Sequence, residues 1–183
     1  MQTLSNDISK VLVTEEELKE INKRLGERIT KDFKGKNLFI VGILKGSIYF
    51  MTDLTRNIDL PLEIDFLCVS SYGSSARSSG QVKIVKDLDK SIEGYDVLLI
   101  EDILDTGRTL QYVSDMLQTR KANSISICTL LDKPERRAPD VDIKPEYVGC
   151  DVPNEFVVGY GLDFDQKYRN LPYIGALKRE IYE

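Results

Sequence analysis

VLLIEDILDTGRTL, residues 97 to 110, sets an apolar strand directly against a group of carboxylates and then a glycine-led helix start. The apolar part ends at Ile100, and Glu101, Asp102 and Asp105 follow within five residues. Thr106-Gly107-Arg108-Thr109 then turns the chain into a helix that reads from Arg108 to Leu117. In open α/β sheets, ligands collect beyond the carboxyl ends of the strands, which is where this loop falls. Gly107 permits close backbone approach, and successive N–H groups at a helix start form a cradle for a phosphate. The threonine hydroxyls add donors, and the acids beside them suit hydroxyls or a cation. A purely structural alternative is capping, with Asp105 or Thr106 as the N-cap. Three acids at one strand end repel one another unless a cation or hydroxyls separate them, which weighs toward a ligand.

Outward from this stretch, strand and helix alternate. Upstream, Thr14-Glu15-Glu16-Glu17 fits a capping box. Leu18, Ile21, Leu25, Ile29 and Phe33 follow at helical spacing, and Lys34-Gly35-Lys36 ends that helix. Leu38 to Ile43 reads as a strand buried on both faces. Lys45-Gly46-Ser47 breaks it and leads to a short helix with Ile48, Phe50, Met51 and Leu54. Leu62 to Ser70 is a strand, residues 72–80 a loop, and Gln81 to Val85 an alternating strand. Downstream, Ser124 to Leu131 is another strand, and the part from Pro134 on reads as irregular with short strands. The alternation predicts an α/β fold on a central, mainly parallel sheet, in a single domain spanning 1–183.

Composition narrows the chemistry. The chain has 183 residues and no histidine, which excludes Ser-His-Asp and Cys-His catalysis and histidine-bound zinc. Proton transfer falls to Asp, Glu, Lys, Tyr, Cys or metal-bound water. A formal net charge of −5 argues against a generic nucleic-acid binder, while leaving room for a local phosphate pocket. Cys68, Cys128 and Cys150 are spread out and never paired as C-x-x-C, so a disulfide scaffold or zinc site is not expected. Apolar neighbours mark Cys68 and Cys128 as buried thiols. The N-terminal stretch has no signal-peptide core, and Leu38 to Leu44, the longest apolar run, is far too short for a membrane span. The chain reads as cytoplasmic and reduced. No GxxxxGK[ST] occurs, and Gly159-Tyr160-Gly161 lacks the third glycine of a dinucleotide fingerprint.

Val97 to Leu110 resembles the phosphoribosyl-pyrophosphate loop of type I phosphoribosyltransferases. The wider chain is similar to the hypoxanthine-guanine branch of that family. The supporting segments are Leu44-Lys45-Gly46-Ser47, Ser70-Ser71-Tyr72-Gly73, Leu131-Asp132-Lys133 and Phe156-Val157-Val158-Gly159-Tyr160-Gly161-Leu162-Asp163. They run in order from about Val11 to about Gly175. The resemblance implies the type I phosphoribosyltransferase fold. A small hood, built from the N-terminal segment and roughly residues 134–183, would cover the base site.

The implied reaction joins a 6-oxopurine to 5-phosphoribosyl-1-pyrophosphate, giving IMP or GMP and pyrophosphate. Thr106, Gly107, Arg108 and Thr109 would hold the 5′-phosphate. Glu101 and Asp102 would meet the ribose hydroxyls and magnesium, a hard cation suited to carboxylate oxygens. Asp105 would be the general acid/base at purine N7. Lys133 would donate to the 6-oxo group; by itself it reads equally as a solvated lysine in a turn. Phe156 would stack on the base, or else is a core aromatic, and Val157 would offer backbone atoms to the base edge. Asp163 would sit by the base and a second magnesium, or is merely a turn aspartate.

Lys45, Gly46 and Arg169 would handle pyrophosphate, with a Lys45–Gly46 peptide able to adopt the cis form; Arg169 otherwise reads as a surface cation. Ser71 and Tyr72 would head a loop that closes over the reacting centre. Ala76-Arg77 departs from the family's usual loop composition. The resemblance further implies a homodimer or homotetramer acting on small molecules, with no nucleic-acid or membrane partner. Two alternatives remain at this level: a non-catalytic nucleotide-binding regulator on the same fold, and an enzyme preferring xanthine.

Overall fold

A computed structural model describes residues 4–71 and 82–183. The helix expected after Thr14 is α1 (Glu15–Asp32), and its start carries both halves of the capping box. The Thr14 hydroxyl accepts from the Glu17 amide at 3.2 Å, and the Thr14 amide donates to the Glu17 carboxylate at 2.8 Å. Two orphan amides of the first turn are thereby satisfied. Leu18, Ile21, Leu25 and Ile29 form its buried stripe.

Six strands build the main sheet: β2 (Leu38–Leu44), β3 (Leu62–Ser71), β4 (Val82–Lys86), β5 (Asp96–Leu104), β6 (Ser124–Asp132) and β7 (Tyr147–Asp151). Their order is β4-β3-β2-β5-β6-β7, and every pairing is parallel except that of β3 with β4. Along β2, Leu38 and Ile40 enter the core shared with α1 and α2 (Ile48–Thr55). Phe39, Val41 and Ile43 enter the opposite core, shared with α3 (Arg108–Gln118). A strand with both faces covered must be apolar at every position, which is why these strands read as continuous apolar runs.

A second, three-stranded sheet joins the two ends of the chain. Strand β1 (Ile8–Val13) pairs with β9 (Ile174–Leu177), which pairs with β8 (Val157–Val158). Its own core is Val158, Tyr168, Leu171 and Leu177, against which the short helix α4 (Arg179–Tyr182) packs.

Two expectations change, and a third falls outside the described residues. Strand β5 does not stop at the acids but runs on to Leu104, with Glu101, Ile103 and Leu104 still in register with β6. Ladder hydrogen bonds use the backbone and tolerate carboxylates, so the end of the apolar run was not the end of the strand. Cys68 is half-buried rather than buried, while Cys128 is fully buried; all three thiols are free. The loop of residues 72–80, including Tyr72 and Ala76-Arg77, and Gln81 lie outside the described residues, as does the Ser71 side chain.

Candidate functional site

From β2 the chain moves outward through β3, and from β5 it moves the opposite way through β6, so the strand order reverses between β2 and β5. Their pairing ends at Gly42 with Ile100, and both strands continue beyond it. A crevice opens at such a reversal. There a cavity of about 230 Å³ is lined by Lys45, Gly46, Glu101, Asp102, Thr109, Asp163 and Arg169, together with Ile43, Leu44 and Val69. Seven residues singled out in the sequence therefore share one wall. Asp105, Thr106, Gly107, Arg108, Lys133, Phe156 and Val157 do not line it.

Gly46 and Gly161 explain how the wall closes. A Cβ on Gly46 would collide with the Asp102 carboxylate, and one on Gly161 would collide with the Gly46 carbonyl. Gly161 also has φ +108°, a conformation L side chains rarely adopt. Three segments far apart in the chain thus stack at van der Waals contact. The cis peptide in this turn lies between Leu44 and Lys45, one bond before the expected Lys45–Gly46 position. Lys45 Nζ donates to the Gln166 amide oxygen at 3.0 Å. Arg169 forms an ion pair with Asp163 at 2.8 Å and donates to the Gly161 carbonyl at 2.7 Å. Arg169 is therefore no free surface cation. Asp163 is already neutralised by it and also accepts from the Gln166 amide at 2.8 Å. Gln166 carried no signal in the sequence.

Glu101 and Asp102 lie side by side at the cavity floor. Burial, and then the neighbouring Asp102 charge, hold Glu101 well above the ordinary carboxylate range. Burial also raises Asp102, opposed by hydrogen bonds from Glu101 and the Ile103 amide and by the Arg169 charge. One oxygen of Glu101, Oε2, is buried with no hydrogen-bond partner. An orphaned carboxylate oxygen beside a second carboxylate is a donor set that suits a hard cation. Asp163, engaged by Arg169, does not join them in a three-carboxylate cluster, and no such cluster occurs among the described residues.

A stability prediction follows. A carboxylate raised in the fold binds protons more readily there than in the unfolded chain. Its contribution is present at low pH and is lost as pH rises through the folded value. Glu101→Gln should thus raise the melting temperature of the metal-free protein at neutral pH by about 2–4 °C, equivalent to about 1 kcal/mol. The gain should shrink at pH 5. Thermal scans at both pH values measure it, and a variant less stable at neutral pH would contradict the assigned cost of holding this charge desolvated beside Asp102.

The helix start after β5 differs from the capping alternative. Neither Asp105 nor Thr106 is the N-cap; Gly107 is, at φ +81°, with no side-chain cap. The opening amides of α3 are thus left without a side-chain acceptor, the condition under which a helix start can receive an anion. The Arg108 guanidinium turns to Asp140 at 2.8 Å, so this residue contributes its backbone to the cradle. Asp105 is held from the turn after β6: Arg136 Nε donates to its carboxylate at 3.0 Å and Arg137 to its carbonyl at 2.6 Å. Neither arginine was singled out in the sequence, since nothing local distinguishes Glu135-Arg136-Arg137 from a solvated charge run.

Lys133 directly follows β6 and is buried, with Nζ donating to the Glu155 carbonyl at 2.6 Å. Burial pulls its ammonium below the usual range, against the opposing pull of Asp105. The reading of a solvated turn lysine is excluded. Phe156, bonded next to Glu155, keeps 38% of its surface exposed and is no core aromatic. The Val157 side chain is buried in the core. A larger cavity, about 600 Å³, lies between α1, α2 and residues 160–172, and shares only Arg169 with the predicted set.

The family model described as phosphoribosyl transferase domain matches residues 9–165. Hypoxanthine-guanine phosphoribosyltransferase of Streptococcus thermophilus is 56% identical over 179 residues, covering 98% of each chain. The bifunctional protein TilS/HprT of Listeria monocytogenes serotype 4b is 56% identical over 181 residues, and this chain spans 28% of its length. A crystal structure of a hypoxanthine phosphoribosyltransferase from Staphylococcus aureus superimposes with a TM-score of 0.95 at 56% identity, over 100% of this chain and 98% of that one.

Proposed function

The chain belongs to the phosphoribosyl transferase domain family, and from that premise we propose that it is a purine salvage enzyme joining hypoxanthine or guanine to 5-phosphoribosyl-1-pyrophosphate. The products are IMP or GMP and pyrophosphate. The observation that carries this reading is the cavity joining the half-buried Glu101–Asp102 pair to the Lys45–Gly46 turn and Arg169. It sets cations and a glycine turn for a leaving pyrophosphate beside carboxylates for ribose hydroxyls.

The residues divide the work. The amides from Gly107 to Thr109, with the hydroxyls of Thr106 and Thr109, hold the 5′-phosphate. Lys45, Gly46 and Arg169 bind the pyrophosphate. Phe156 stacks on the base, Val157 meets its edge through the backbone, and Lys133 donates to the 6-oxo group. The purine N9–C1′ bond forms as the C1′–O bond to pyrophosphate breaks, and the N7 proton passes to Asp105. Ser71 and Tyr72 head the segment that excludes water from C1′. The unpartnered Glu101 oxygen and Asp102 would hold magnesium, and Asp163 would be the carboxylate for a second ion; the ions would offset the charge of the pyrophosphate. We further propose a cytoplasmic homodimer or homotetramer with no nucleic-acid or membrane partner. No helix among the described residues is long and apolar enough to cross a membrane.

The test is initial-rate measurement of pyrophosphate release with hypoxanthine, guanine, xanthine and adenine side by side. Hypoxanthine and guanine are expected to turn over and adenine to be rejected, because an ammonium offers donors only. Xanthine outpacing both would reassign the base, and no release with any purine would favour a nucleotide-binding regulator. Lys133→Met keeps the stem and removes the donors. It should cost about 10- to 100-fold in kcat/KM for hypoxanthine, the range of one hydrogen bond to a charged group.

A further inference from the structure

The Tyr182 ring lies over Phe156 with centroids 4.9 Å apart and planes 25° from parallel. Phe164 meets the same ring edge-on, at 5.5 Å and 89°. Tyr182 thus covers one face of Phe156, yet 38% of the residue remains exposed. That exposed surface is what a planar ligand can reach. The backing ring is itself anchored. Tyr182 and Ile181 pack on the Val158, Tyr168, Leu171 and Leu177 core. The Leu177 amide donates to the Phe156 carbonyl at 2.8 Å, and the Lys178 amide to the Asp7 carbonyl at 2.9 Å.

We propose that Tyr182 is a positioning residue for the purine base: it backs Phe156 and fixes the plane on which the base stacks. The inference rests on the reading of Phe156 as the base platform and extends it to a segment with no part in the chemistry. An exposed phenylalanine with no backing rotates about χ1 and χ2, and a base that stacks on it must first immobilise it. Supporting one face in advance removes that cost from binding. The support is aromatic rather than polar, so the hydroxyl of Tyr182 is dispensable.

The experiment compares Tyr182→Ala, Tyr182→Phe and Phe156→Ala in steady-state kinetics, with thermal scans as the check on folding. Tyr182→Ala is expected to raise KM for hypoxanthine about 2- to 10-fold, the worth of one aromatic pair. KM for phosphoribosyl pyrophosphate and kcat at saturating base should stay within about twofold, because the Asp105 and Lys45 segments are untouched. Tyr182→Phe should match the parent. A hypoxanthine KM that does not change in Tyr182→Ala overturns the proposal, and one that falls means the ring occupies the face the base needs. If Tyr182→Ala loses its fold, Tyr182→Leu keeps the apolar contact without the ring and carries the same expectation. Phe156→Ala separates the two levels. If it leaves the hypoxanthine KM unchanged, the platform reading falls. If it raises KM while Tyr182→Ala does not, only the Tyr182 inference falls.

Discussion

Asp105→Asn is expected to lower kcat for IMP formation by about 10²- to 10⁴-fold, the usual worth of a general base. The substitution is nearly isosteric, and the asparagine carbonyl can still accept from Arg136, which reaches the aspartate at 3.0 Å. The backbone carbonyl at this position stays bonded to Arg137. The loop should therefore keep its shape and lose only its ability to take a proton. Asp105 and Arg136 are both partly exposed, so the ion pair itself contributes little to stability and the melting temperature should barely move. Initial rates at saturating substrates, paired with thermal scans, measure both. A loss smaller than about tenfold would remove Asp105 from the proton-transfer role, since no histidine exists to replace it.

Gly161→Ala should be nearly as damaging, for a reason that has nothing to do with proton transfer. At φ +108° an alanine is strained before any contact is considered, and its methyl group would meet the Gly46 carbonyl. That neighbour is backbone, so it can yield only by moving the Lys45–Gly46 turn off Asp102. Gly161 also donates its amide to the Arg169 carbonyl at 2.9 Å and accepts from the Arg169 guanidinium at 2.7 Å. Displacing it shifts the two cations assigned to pyrophosphate together. The strain alone is worth about 1–3 kcal/mol, so the melting temperature should fall by several degrees. A misplacement of about 1 Å should cost about 100-fold in kcat/KM for phosphoribosyl pyrophosphate. A folded variant with unchanged kinetics for that substrate would show that the Gly46–Gly161 contact does not shape its site.

These expectations differ in how far they were legible beforehand. Asp105 and the Gly107 cradle could be read locally, because a helix start after a strand has a short-range pattern. Even there the capping detail was not readable, since Asp, Thr and Gly are all acceptable N-caps and only the backbone turn selects among them. Lys133 next to Pro134 looked like a solvated turn; it is buried because Glu155, 22 residues on, supplies a carbonyl for its ammonium. Arg136 and Gln166 were invisible, for long polar side chains take their meaning from whatever distant group they reach.

What the sequence determined by itself is the chemistry available and the layering. With no histidine, proton transfer had to fall to Asp, Glu, Lys, Tyr, Cys or metal-bound water. Continuous apolar strands alternating with amphipathic helices required a sheet covered on both faces, since neither surface can be left in water. Only the tertiary structure decided which residues meet. The reversal of strand order between β2 and β5 brings Gly46 against Asp102, and the segment after β8 brings Gly161 against Gly46, each across more than fifty residues of chain. Backbone pairing is nearly blind to side-chain identity, so register and strand order, rather than any local pattern, set which carboxylates are sunk and which cations face them.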